Sequence, residues 1–173
     1  MNEELRRLIN NLTQDIINIY DIQIPIQNIN DVVRQLGGYI EENVMPDNMV
    51  DGSIRKENDS FVISVSPFQS EERRKFTIAH ELGHLFLHMG YIIYPELWSR
   101  QRDATYYRSG DSLVEYQANE FAAAFLMPKE RYKEIMDRYT IGTSVETRKI
   151  AEYFGVSVSA ASNRGKFLGY LQW

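Results

Sequence analysis

The stretch His80-Glu81-Leu82-Gly83-His84 constrains this chain more than any other. On an α-helix, residues four apart share a face, one turn apart, so the imidazoles of His80 and His84 can reach one metal ion. Glu81 stands beside such an ion rather than on it, where it can take a proton from the attacking water. The flanks agree with a helix. Phe76, Ile78, Ala79, Leu82, Leu85, Phe86 and Leu87 make the run apolar. Ser70 followed by Glu71 and Glu72 reads as an N-cap with acids in the first turn, so a helix from about Ser70 to about Met89 is expected. The chain has only 3 histidines and all fall in this segment, which weighs against a chance match with the rings merely packed in a core.

Composition narrows the chemistry further. There are no cysteines, so neither a disulfide framework nor a thiolate site is available, and a metal must take His and carboxylate donors. That donor set suits catalytic rather than structural zinc. A length of 173 residues predicts a single domain 1-173, divided as an N-terminal helix (1-27), a catalytic core (28-128) and a C-terminal helical subdomain (129-173). MNEELRRLINN has no apolar signal-peptide region, and no apolar run reaches membrane-spanning length. A soluble, cytoplasmic protein with no membrane partner is expected. The net charge of -5 argues against a general nucleic-acid surface.

Residues 2 to about 20 carry Leu5, Leu8, Ile9, Leu12, Ile16 and Ile19 at helical spacing. Asn28 or Asn30 caps a second helix through Leu36, which Gly37-Gly38 ends. GGYIEEN, MVDGSIRKEN and DSFVISVSP then read as three short strands of a small antiparallel sheet, with turns at Asp51-Gly52 and Glu57-Asn58-Asp59. Its edge could take an extended peptide by strand addition, or serve structure alone. His88 continues the four-residue spacing but lies about 12 Å along the helix from His80, so it belongs beside the donor set or at the helix end. The long connection Gly90 to Asp111 reads as a lid or specificity wall with a short helix near Glu96 to Arg100. Tyr106, Tyr107 and Arg108 are its candidates for stabilising an oxyanion, and nothing chooses among them.

A third protein donor is needed to leave one position for water. Ser112 to Met127 reads as a strong helix closed by Pro128 and offers Glu115 and Glu120. Glu115 lies on a face with the small Ala118 and with Asn119, where two helices can approach closely. Glu120 lies about 140° round, nearer the polar side. Glu115 is therefore the chosen ligand, although Ser112-x-x-Glu115 also fits a capping box.

FTIAHELGHLFLH, followed some thirty residues on by VEYQANEFAAAFLMP, resembles the ImmA/IrrE family of zinc metallopeptidases, whose second signature has the form E-x-x-A-N-x-F-A-A-x-L-M-P. The similarity covers roughly residues 30 to 170. It implies one catalytic Zn2+ held by His80, His84 and Glu115, Glu81 as the catalytic base, and Asn119 holding a ligand in place. It also implies a protein substrate: a helix-turn-helix repressor of a phage, mobile element or stress regulon, encoded nearby. The expected fold is α+β, a mostly helical zincin-like core with a small three-stranded antiparallel sheet and a C-terminal helical pair.

That pair, IAEYFGVSVSAASNRGKFLG, resembles a helix-turn-helix, and Arg148, Lys149, Arg164 and Lys166 are its candidate phosphate contacts. The resemblance implies that family members end with a similar pair, which favours the two helices packing onto the catalytic core and leaves DNA binding through 144-170 the lesser expectation. The competing reading is a non-catalytic zinc-containing regulator that binds a partner protein or DNA through these helices. An intact Glu81 speaks for catalysis, because a purely structural site has no need of it.

Overall fold

The computed structural model describes residues 1–43, 51–101, 105–106 and 112–173. Helix α1 (Glu3–Ile19) begins where Asn2 Oδ1 accepts a hydrogen bond from Leu5 N at 2.9 Å. Its buried stripe is Ile9, Thr13, Ile16 and Ile17, while Leu8 and Ile19 stay exposed. Asn28 caps the short α2 (Ile29–Gln35).

Strands β1 (Tyr39–Glu42), β2 (Gly52–Glu57) and β3 (Ser60–Val65) follow, with a two-residue β4 (Thr105–Tyr106). The strand order is β1-β3-β2-β4. The sheet is mixed, not the three-stranded antiparallel sheet expected: β1 runs parallel to β3, with Ile40 opposite Ile63. The tight Asn58-Asp59 turn makes β2 and β3 antiparallel neighbours, with Glu57 opposite Ser60. Strand β4 pairs with the outer edge of β2, which leaves β1 the outer edge of β3. Asp51-Gly52 is not a turn within the sheet; Gly52 opens β2. Both faces of β3 are covered, and Phe61 to Val65 are all buried.

Helix α3 (Glu71–Leu87) is the centre of the molecule: every residue from Thr77 to Phe86 is buried. Ser70 Oγ caps it by accepting from Arg73 N at 3.3 Å. One side faces the sheet, and the other packs on α5 (Ser112–Leu126), the most extensive helix pairing in the fold. Between them lies the short α4 (Pro95–Arg100). Helix α6 (Lys129–Arg138), the hairpin β5 (Thr140–Ile141) and β6 (Ser144–Val145), α7 (Thr147–Phe154) and α8 (Val158–Phe167) complete the chain. Gly155, at φ 62 and ψ 46, turns α7 into α8 in a conformation that favours glycine. Helix α8 packs against α5 as well as α7, and α1 packs against α5 from another side. None of the described helices is long and apolar enough to cross a membrane.

Candidate metal centre

The site depends on how closely α3 and α5 approach. Gly83, inside the His80–His84 turn, is the contact point: a Cβ there would lie 3.0 Å from Ala118 Cα and 3.0 Å from its carbonyl oxygen. The small pair Gly83/Ala118 thus brings the helix backbones together, as the small residues beside Glu115 suggested. One turn before Ala118, Glu115 then projects at the two histidines. Glu115 Oε2 is 3.3 Å from His80 Nε2, and Oε1 is 3.5 Å from His84 Nε2. The two Nε2 atoms are 3.0 Å apart.

Each ring is oriented through its other nitrogen. His80 Nδ1 donates to Asn119 Oδ1 at 2.9 Å. His88 Nε2 donates to Gln117 Oε1 at 2.9 Å, so His88 Nδ1 is an acceptor, and His84 Nδ1 donates to it at 2.9 Å. Both His80 and His84 are thereby set in the tautomer whose Nε2 carries a lone pair, and both lone pairs face Glu115. Two nitrogens bound to one tetrahedral zinc at about 2.0–2.1 Å would be about 3.3 Å apart, close to the spacing found. One donor atom from each of His80, His84 and Glu115 lies within 4.8 Å of the others, so the three fit a single ion. His88 sits behind His84, as the spacing predicted, and Asn119 behind His80, as the resemblance implied.

Glu81 is 2% exposed and points to the sheet side of the site. A Cβ on Gly52 would lie 3.4 Å from Glu81 Oε1 and 2.6 Å from Thr77 Cγ2, so β2 can cross α3 here only with glycine. That need was not legible in the sequence, where Asp51-Gly52 reads as a turn.

Glu120, the rejected candidate ligand, faces elsewhere. It is 6% exposed, not on a polar side, because α1 and α8 cover it. Glu120 Oε1 accepts from Arg164 Nη1 at 3.0 Å and from Asn10 Nδ2 at 2.7 Å, and Oε2 accepts from Arg6 Nε at 3.2 Å. Arg164 also donates to Met127 O at 3.0 Å and Asn10 Oδ1 at 2.7 Å. Burial pushes the Arg164 guanidinium down from its ordinary pKa, and the Glu120 charge opposes that shift. Of the other phosphate candidates, Arg148 and Lys149 are exposed, Lys149 paired with Glu152 at 3.0 Å, while Lys166 lies 5.5 Å from the Trp173 ring centroid. Tyr107 and Arg108 lie outside the described residues, as do the Ser112 and Tyr106 side chains, so the capping-box and oxyanion readings are not addressed there.

A cleft of about 920 Å³ opens beside His80 and Glu115. With this geometry in place, the family model described as IrrE N-terminal-like domain (Peptidase_M78) matches residues 35–166. The chain belongs to this peptidase family. Over 148 residues it is 28% identical to the "Radiation response metalloprotease IrrE" of Deinococcus radiodurans, covering 86% of this chain and 43% of that protein. Its fold is similar to that of a solved "Mycobacterium tuberculosis transcriptional regulator", with a TM-score of 0.58 and 18% identity across 94% of this chain and 46% of the other. This family member spans less than half the length of either relative. The second likeness shows the fold alone.

Proposed function

We propose that the chain is a zinc-dependent metalloendopeptidase that cuts an exposed segment of a protein in the cytoplasm, with a helix-turn-helix repressor or stress regulator as the substrate class. The observation that carries this is the convergence of His80 Nε2, His84 Nε2 and a Glu115 oxygen within 4.8 Å, with Glu81 buried one residue along the same helix. The peptidase family and the metalloprotease relative support the same chemistry. Zinc bound by those three residues supplies Lewis-acid polarisation of the scissile carbonyl and a water acidified to a pKa of about 7. Glu81 takes a proton from the attacking water and returns it to the leaving amine. Asn119 and the His88–Gln117 pair hold the two imidazoles with Nε2 presented. We take residues 1-173 as one peptidase domain, with 129-173 as its C-terminal helical subdomain.

The competing regulator reading has less support, since Arg164, one of its four basic contacts, is 1% exposed and bonded to Glu120. The test is incubation of the zinc-loaded chain with the helix-turn-helix repressor encoded beside it. A single cut that is abolished by Glu81→Gln and by a chelator is expected. A cut that persists in Glu81→Gln would sink the mechanism.

A further inference from the structure

The cleft does not stop at the metal centre. Its lining joins His80 on α3 and Glu115, Asn119 and Ala123 on α5 with Arg6 on α1 and a set of residues on α8. There its wall is Ser159, Ala160, Asn163 and Phe167. These positions recur at three- and four-residue steps and so form one face of the helix. In a helix-turn-helix, α8 would be the helix that enters a DNA groove. In this fold, that face looks into a furrow leading to the metal donors.

The charges of the furrow bear on what fits there. Its lining arginines are Arg6, Arg73 and Arg164, and each is bonded to a carboxylate, Arg73 to Asp51 and both Arg6 and Arg164 to Glu120, while Glu72 and Glu115 add two further acidic groups to the lining. A phosphate backbone depends on cations it can neutralise, and these are spent on carboxylates. What α8 offers instead is a hydroxyl, an amide and an aromatic ring, the ring with the Arg6 guanidinium over one face at 4.7 Å from its centroid. Its position is also fixed relative to the ligands, because Arg164 ties α8 to Glu120 on α5, five residues after Glu115. A wall held in this way keeps one register with the donor set.

We propose that this face of α8 is the specificity wall of a peptide groove, gripping an uncharged stretch of the polypeptide substrate to one side of the scissile bond. Ser159 and Asn163 hydrogen-bond its backbone or amide side chains, and Ala160 with Phe167 receives an apolar side chain. The proposal rests on the peptidase reading above and adds to it the location and chemistry of selection. The C-terminal pair, whose sequence resembles a DNA reader, is here a protein reader.

The experiment uses the zinc-loaded full chain and a peptide library prepared from a digested proteome, with cut sites read by mass spectrometry. Asn163→Lys places a cation on the exposed face of the wall. It is expected to raise acidic residues at one position of the cleavage consensus by about tenfold, the scale of one pocket contact. Asn163→Gln should restore the wild-type preference, and zinc content and melting midpoint should match wild type in both. Ser159→Lys, one turn earlier, gives the same reading if Asn163→Lys does not fold. A consensus unchanged in both lysine variants, with wild-type cleavage intact, overturns the groove and leaves the peptidase reading standing. Absence of any cleavage by wild type that holds zinc overturns both. Salt-sensitive binding to a random DNA duplex, weakened about tenfold by Asn163→Glu with no change of consensus, assigns the face to DNA and overturns the proposal.

Discussion

Two glutamates five residues apart on α5 end in opposite situations. Glu115 is 25% exposed along its side chain, opens onto the cleft and meets two imidazoles that present lone pairs. The Glu120 side chain is 5% exposed and is enclosed by Arg164, Arg6 and Asn10. The residue type is the same, and the helix is the same. The difference lies in what the neighbouring elements bring. Helix α3 brings neutral nitrogen donors, which leave a carboxylate able to share an ion. Helices α1 and α8 bring guanidinium and amide donors, which satisfy a carboxylate completely and make it part of the scaffold.

Each prediction strains that division at a different point. The largest effect belongs to Glu81, which is buried like Glu120. Glu81→Gln should lower kcat by about 10²–10⁴-fold, the range for loss of a general base. Zinc content, measured by elemental analysis, should remain at wild-type level. Next comes the direct contrast on α5. Glu120→Ala strands the buried Arg164 charge and should reduce unfolding free energy by about 3–5 kcal/mol in a denaturant titration. Glu115→Ala should leave the stability of the metal-free chain close to wild type while zinc is surrendered to a weak chelator. Equal stability losses in the two variants would erase the distinction drawn between them.

A smaller effect is expected at His88. His88→Ala removes the acceptor for His84 Nδ1, and chelator competition should show zinc bound about 10–100-fold more weakly. The smallest concerns the sheet, away from both ends of the groove. Arg55 and Ser64 beside Glu41 hold its carboxyl below the ordinary value of 4.5. A depressed folded-state pKa means that the stabilisation is present above about pH 4.5 and fades as pH falls through the folded value. Glu41→Gln should therefore flatten the acid limb of stability against pH, lowering stability in the neutral region and leaving it nearly unchanged at pH below the folded value.

Much of the centre was legible because its determinants are local. Ser70, the apolar run and the His80–His84 spacing lie within one helix. Glu115 became legible through its spacing to Ala118 and Asn119 on a second helix with a recognisable signature. The strand hairpin was legible from Asn58-Asp59, since a turn of that kind leaves its flanking strands one way to pair. The direction of β1 was not, because nothing in Tyr39–Glu42 states which edge of the hairpin will be open. Strand β4 and the β5–β6 hairpin are two residues per strand, too short for alternation to register. The burial of Arg164, a candidate for the lesser reading as a phosphate contact, was hidden for a different reason. Its partners Glu120 and Asn10 are 44 and 154 residues away along the chain, so no local pattern could reveal that it is buried.

The chemistry of the donor set is thus written in short-range periodicity: an α-helix places residues one turn apart on one face whatever surrounds it. Tertiary packing alone decided which carboxylate became scaffold, which face of α8 looks into the groove, and why Gly52 and Gly83 must be glycine. Those outcomes depend on how closely separate elements approach, and that distance is set only when the whole core has packed.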